Sequence, residues 1–225
     1  MFFTVFSIAL GGGSSGTGAR EILGVPYMYF LAPGLLMMTM AQNAFANSSS
    51  SLIIAKVQGN IVDILMPPLS STEILLGLII GATLRGMMIG LLGAIILAVF
   101  IHVPIHNIGV IILYAILGNM MMGALGIVGG LWAEKFDHLA AITNFVITPM
   151  TFLAGTFYAL TALPEKWQLL ALFNPFFYMI DGFRSGFIGV TEAPLLIGVS
   201  LMVSFTAILI GVAAFLLNTG YKIKS

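Results

Sequence analysis

The chain has no cysteine, and only 7% of its 225 residues are charged, against roughly 25% in a soluble domain. The first absence excludes disulfides, thiolate metal sites, iron–sulfur clusters and cysteine nucleophiles. The second excludes a water-soluble globule of this size. Eight basic and eight acidic residues cancel to a net charge of zero, which leaves no basic face for nucleic acid and no acidic one for a cationic partner. What fills the chain instead is apolar: hydrophobic residues make up 60% of it, the composition of a protein that lives in a bilayer. This length supplies about five or six spans, enough for one membrane bundle without an added soluble catalytic domain.

A spanning helix needs about 20 mainly apolar residues to cross the roughly 30 Å hydrocarbon core. Five segments reach that length: Tyr27–Phe45, Ile74–Ile101, Ile108–Trp132, Leu139–Leu160 and Leu195–Leu217. Met1–Leu10 covers only about 15 Å before a Gly- and Ser-rich run from Gly11 to Gly16 interrupts it. With no Lys or Arg before its apolar part it is a poor secretory signal, and it reads as the outer half of a span whose start is absent. The stretch Pro164–Pro194 is apolar and aromatic, but it contains Asn174, Pro175, Asp181 and Arg184. A full crossing would bring Asp181 and Arg184 near mid-depth at about 2.5–3.5 kcal/mol each, so a re-entrant or surface-lying helix pair is expected. In that pair Asp181 is placed to pair with Arg184 one turn on, while Trp167, Phe176, Phe177 and Tyr178 sit at headgroup level.

The residues between the first two of these long segments, Asn47–Thr72, are expected to lie outside the membrane, on the same side as 133–138 and the tail. That side holds Lys56, Lys135, Lys222 and Lys224, against Arg20, Lys166 and Arg184 on the other, which is a feeble orientation signal. Within the stretch Asn60 is suited to cap a short helix, Ile61–Met66, that Pro67 and Pro68 end. Ile61, Val62, Ile64, Leu65 and Met66 leave Asp63 as its one charge. Such a helix buries itself in a partner's groove or in the headgroup layer, and the pattern alone favours neither. Ser70 and Glu73 then have the spacing of a capping box that opens the next span. Arg85 follows about 18 Å further along that helix. A buried contact with Asn119, Asn144 or helix-end carbonyls is expected for it, with a substrate contact as the alternative.

Glycines four apart, at Gly77/Gly81, Gly86/Gly90 and Gly126/Gly130, predict close helix packing. Pro149 predicts a kink or wet pocket near Thr143, Asn144 and Thr148. Gly11, Gly13 and Gly16 spell a dinucleotide fingerprint without the strand or acidic residue that it requires. No lysine follows a glycine, so a Walker loop is excluded. His102 and His106 flank Pro104 in a connection and do not read as metal ligands. Asn47-Ser48-Ser49 matches a glycosylation acceptor on the wrong side of the membrane. No predicted span holds an Asp, Glu or His in its interior, so acid–base and covalent catalysis lack their residues.

Several stretches carry a family resemblance. They are Phe30-Leu31-Ala32-Pro33-Gly34, Ala55-Lys56-Val57-Gln58-Gly59 leading into Asp63-Ile64-Leu65-Met66-Pro67-Pro68, Leu84-Arg85-Gly86, Phe173-Asn174-Pro175-Phe176-Phe177-Tyr178 and Asp181-Gly182-Phe183-Arg184. In these the chain resembles the permease subunit of ABC-2 type exporters, from Tyr27 to Tyr221. The resemblance implies an all-α integral membrane protein, a type V exporter-like six-helix bundle with its first helix truncated. It also implies that two copies pair as a homodimer in membrane lipid of the bacterial inner membrane, and that a separate ABC ATPase binds the ATP and Mg, leaving this chain without a cofactor. Asn60–Pro68 is then the coupling helix seated in the ATPase, and residues 164–190 are the outer re-entrant helices. The implied cargo is an amphipathic drug, lipid or lipid-linked saccharide. A membrane-embedded lipid-modifying enzyme and a non-transporting scaffold are the rival readings. Members of the family carry a connecting helix and a full first span that this sequence does not show, which suggests a fragment or a late start.

Overall fold

A computed structural model of the chain describes residues 21–60 and 69–219. Met1–Leu10, Ile61–Pro68 and the Lys222/Lys224 tail, all singled out above, lie outside the described residues. A hairpin of two short strands, β1 (Glu21–Ile22) and β2 (Val25–Pro26), leads into the first helix. Its two-residue turn has positive φ at both Leu23 and Gly24, as a tight hairpin requires. Among the described residues all other regular structure is helical. The long helices are α1 (Tyr27–Val57), α2 (Ser71–Phe100), α3 (Ile108–Trp132) and α8 (Leu195–Thr219). Between α3 and α8 come α4 (Phe136–Ile142), a π turn (Thr143–Ile147), α5 (Thr148–Leu153), α6 (Glu165–Leu172) and α7 (Pro175–Ile188).

Among the described residues, α2, α3 and α8 are each long and apolar enough to cross a membrane. The two other expected spans differ from their sequence outlines. Helix α1 does not stop at Phe45 but runs twelve residues further, to Val57, through a serine cluster that reads locally as loop. The serines do not break it because each hydroxyl bonds within the packed helix. Ser49 Oγ donates to the Phe45 carbonyl at 2.8 Å, Ser51 Oγ to that of Asn47 at 2.7 Å, and Ser48 Oγ crosses to the Gly123 carbonyl of α3 at 2.8 Å. Asn47 is therefore a helix residue and no glycosylation loop. The segment expected as a span over 139–160 is interrupted by the π turn and ends at Leu153. Pro149 lacks the N–H that an α register would use, so the chain loosens by one residue just before it.

Helix ends follow local chemistry. Ser70 and Glu73 form the full capping box of α2. The Asn107 side chain accepts from the Gly109 and Val110 amides to start α3. Helices α1 and α3 are the spine, packed on each other and both against α2 and α7, with α8 on α3. At one end of the bundle Lys56 Nζ donates to the Leu131 and Ala133 carbonyls that close α3, and Ser71 Oγ donates to Asn218 Oδ1 of α8. At the other end the His106 and Asn107 amides donate to the Gly186 carbonyl of α7, and Tyr114 Oη donates to the Leu195 carbonyl that opens α8.

Glycines set how closely the spine packs, but not at every pair. A Cβ on Gly126 would lie 2.2 Å from Ser48 Oγ and 2.5 Å from the Phe45 carbonyl oxygen, and one on Gly130 would lie 3.0 Å from the Ser49 carbonyl oxygen. Gly86 and Gly90 seat Asn119 and Met40 in the same way. Gly77 and Gly81, expected to pack as well, face open space. Helix α2 buries one row, Leu75, Ile79, Ala82, Gly86 and Gly90, and turns Leu76, Ile80, Leu84 and Met88 outward, the last 67% exposed. Only lipid or another protein suits that face. Gly126→Ala is expected to destabilise the protein by about 1–3 kcal/mol because backbone lies in the way, whereas Gly77→Ala, with no described residue near it, should stabilise the helix by about 0.5–1 kcal/mol. Thermal melts of both variants in detergent check this, and equal melts would contradict the packing.

Candidate functional site

The long second half of α1 carries polar side chains on one face. Thr39, Asn43, Asn47 and Ser51 recur every four residues, with Gln42 and Ser50 beside them, a spacing that keeps them on a slowly turning stripe. Their surfaces are half-buried or exposed, and Ala46 and Ile54 on the same side are exposed too. Part of the hydrogen-bonding capacity is turned back on the helix: Thr39 Oγ1 donates to the Leu35 carbonyl at 2.8 Å and Asn43 Nδ2 to the Thr39 carbonyl at 2.9 Å. Across from the stripe lies the π turn, where Thr148 Oγ1 donates to the Thr143 carbonyl at 2.8 Å. The cleft between them holds about 460 Å³ and is lined by Gln42, Asn43, Ser49, Ser50, Thr143 and Thr148, among others. The wet pocket expected near Pro149 thus has a counterpart in this cleft, with α1 as its second wall.

Arg85 joins the stripe from the α2 side. Its Nη1 donates to Asn47 Oδ1 at 3.0 Å, and its side chain is otherwise exposed. This corrects the expectation of a contact with Asn119 or Asn144. Gly86, one residue on, faces α3 so closely that a Cβ there would lie 1.9 Å from Asn119 Oδ1. A residue adjacent in a helix points about 100° away, so Arg85 turns from Asn119 towards α1. Asn119 is fully buried and donates to the Ala115 carbonyl at 2.7 Å, and its Oδ1 has no partner. Asn144 is exposed on the π turn. Arg85, Asn119 and Asn144 do not converge. Asn47, which Arg85 does meet, and Asn43 one turn before it are not residues that the sequence singled out for that contact, although their four-residue spacing is legible in it.

A second polar centre is closed rather than open. Helix α7 starts at Asn174, whose Oδ1 accepts from the Phe176 amide at 3.0 Å and whose Nδ2 donates to the Met150 carbonyl of α5 at 2.8 Å, with Pro175 in its first turn. From Phe176 to Phe187 the helix is buried, so Phe176, Phe177 and Tyr178 pack against the rest of the chain, while Trp167 is 49% exposed. The ion pair expected between Asp181 and Arg184 is replaced. Asp181 accepts from the Thr191 hydroxyl at 2.7 Å and from the Glu192 and Ala193 amides, fixing the loop that leads to α8. Arg184 Nη1 faces Glu192 Oε1 at 3.8 Å.

Arg184 is fully buried and gathers three more elements. Its Nη2 donates to the Gly155 carbonyl at 2.8 Å, its guanidinium lies 3.7 Å from the centre of the Phe30 ring of α1, and Glu192 accepts in turn from the Leu160 amide. Burial pushes the Glu192 carboxyl above its ordinary range, and the Arg184 charge opposes that rise. Removing one member leaves a buried charge unpaired, so Arg184→Met is expected to cost about 3–5 kcal/mol and to loosen 154–164 from α1. Thermal melting together with limited proteolysis of that segment measures both effects, and an unchanged melt would refute the role.

Three comparisons bear on what these centres belong to. Residues 1–188 match the family model described as ABC-2 type transporter. Across all 225 residues the chain is 34% identical to the inner membrane transport permease YadH of Escherichia coli K12, covering 86% of that protein, and the same figures hold for YadH of Shigella flexneri. It is 28% identical over 196 residues to nodulation protein J of Rhizobium leguminosarum bv. viciae, covering 82% of this chain and 71% of that protein. A bundle with outward apolar faces is what such a protein needs. The chain belongs to the ABC-2 type transporter family: it is a multi-pass permease of the inner membrane, a transport subunit and not an enzyme.

Proposed function

We propose that this permease exports an amphipathic drug, lipid or lipid-linked saccharide, driven by a separate ABC ATPase that holds ATP and Mg, and that a second copy completes its path as a homodimer. The observation that carries this reading is the polar face of α1, open at mid-helix between Arg85 of α2 and the π turn. Lipid offers such groups no hydrogen bonds, so the stripe requires water, cargo or another protein against it. A mixed surface of hydroxyls and amides flanked by Leu and Ile suits a molecule with both polar and apolar parts better than a bare ion.

In this reading the end of the bundle with residues 57–71 is cytoplasmic, Asn60–Pro68 is the coupling helix that the ATPase grips, and α6 and α7 are the outer cap. Family membership supports an ATPase partner in general. The Lys56 contacts supply a mechanical route: with its ammonium on the last carbonyls of α3, a displacement arriving at Gln58 moves α1 and the α3 end together. Closure and opening of the ATPase dimer would then change which side of the membrane the stripe faces, with no bond made or broken in this chain. Asp63→Ala and Leu65→Ala are expected to leave membrane insertion intact and to reduce cargo-stimulated ATP hydrolysis to the basal rate of the reconstituted complex. Unaltered stimulation in both variants would refute the coupling assignment.

A further inference from the structure

Arg85 has a position that packing does not account for. It is the fifteenth of the thirty residues of α2, so it sits halfway along a helix about 45 Å long, with more than 20 Å to either end. That exceeds the reach of a snorkelling side chain. The other charged residues of α1, α2, α3 and α8 are Lys56 and Glu73, each within two residues of a helix end. Among the described residues no carboxylate comes within 4 Å of Arg85, the one such ion pair being Arg184 with Glu192. A guanidinium has five N–H donors in a planar fork. Asn47 takes one of them, and the side chain is otherwise exposed.

From this geometry, and resting on the export reading above, we infer that Arg85 is the specificity-determining residue of the path and that it selects an amphiphile carrying an anionic group such as a phosphate or sulfate. The fork matches an oxyanion in two-point geometry. Asn47 holds the guanidinium at the edge of the stripe, and the amides and hydroxyls of Asn43, Ser50 and Thr39 line up beside it for the uncharged polar part of the same molecule. The apolar remainder has the outward Leu84 and Met88 next to Arg85 on α2. A cationic amphiphile meets repulsion at this point with no acid nearby to offset it, and a neutral one leaves the guanidinium unpaired.

The test is equilibrium binding to the purified permease in nanodiscs of zwitterionic phospholipid, corrected with empty nanodiscs. Dodecyl phosphate and dodecyl maltoside serve as probes of equal chain length. The wild-type protein is expected to prefer the phosphate by about tenfold or more, the scale of one charged hydrogen-bonded contact. Arg85→Gln should abolish that preference, whereas Arg85→Lys, which keeps the charge but not the two-point fork, should keep part of it. A wild-type protein without preference, or an Arg85→Gln protein that retains it, overturns the inference. So does an Arg85→Gln protein whose preference persists while its dimer dissociates, since the guanidinium would then be holding the second copy. Binding requires no ATPase, so an export reading that fails in the Asp63 and Leu65 variants leaves this measurement standing, and a wild-type protein that shows no preference while coupling is intact sinks only this inference.

Discussion

A polar group in hydrocarbon has to find its partner inside the protein, and most of this structure follows from how each such group meets that demand. The serines of α1 bond back one turn or across to α3, which lets a helix continue through a sequence that would be loop in water. Lys56 finds the carbonyls that every helix leaves unmatched at its C-terminal end. Tyr114 donates from α3 to the carbonyl of Leu195, the first residue of α8. Each is a local solution, and each also ties two elements together, so meeting the demand is at the same time what assembles the bundle.

The two arginines in the apolar part of the molecule meet it in opposite ways. Arg184 is enclosed: a carbonyl, a carboxylate and an aromatic face from three other parts of the chain surround it, and a group held from that many sides is costly to disturb. Arg85 meets one side chain and is otherwise turned outward. Burial of the first makes it a fixed point, whereas exposure of the second leaves it something to bind. Residue type alone does not separate them; the difference lies in what their neighbours allow.

That difference also marks how far the sequence could be read. The ends of α2 and α3 depend on side chains within three residues, Ser70 with Glu73 and Asn107 with two amides, and the capping spacing at Ser70 was visible in the string. So was the weak point at Pro149, where the missing N–H is a property of one residue. The packing of Gly86 and Gly126 was foreseeable as small residues at spacing four, but Gly77 and Gly81 have the same spacing and pack on none of the described residues, because spacing does not say which face of α2 meets its neighbours. The direction of Arg85 was lost for the same reason. Glu192 meets Arg184 from a loop eight residues further on, whereas Asp181, only three residues away, is the partner that sequence proximity suggests. A capping loop at 191–193 claims Asp181 instead, and nothing local to α7 announces that.

The halves of α1 now take different parts. From Tyr27 to Met40 the helix is largely buried, with Phe30 beneath the Arg184 guanidinium, so this half is held by the same contacts that hold α7. From Gln42 to Ser51 one face is open, and beyond it Lys56 couples the helix end to α3. A helix clamped at one end and pushed at the other moves most where it is least packed, which is where the stripe, Arg85 and the π turn lie. On the export reading this places the greatest displacement at the polar groups that would hold cargo, while the Arg184 centre stays still. On the same reading α1 and the end of α3 shift as one body, since Gly126 and Gly130 bring their backbones together and Ser48 and Lys56 bond across to α3 carbonyls.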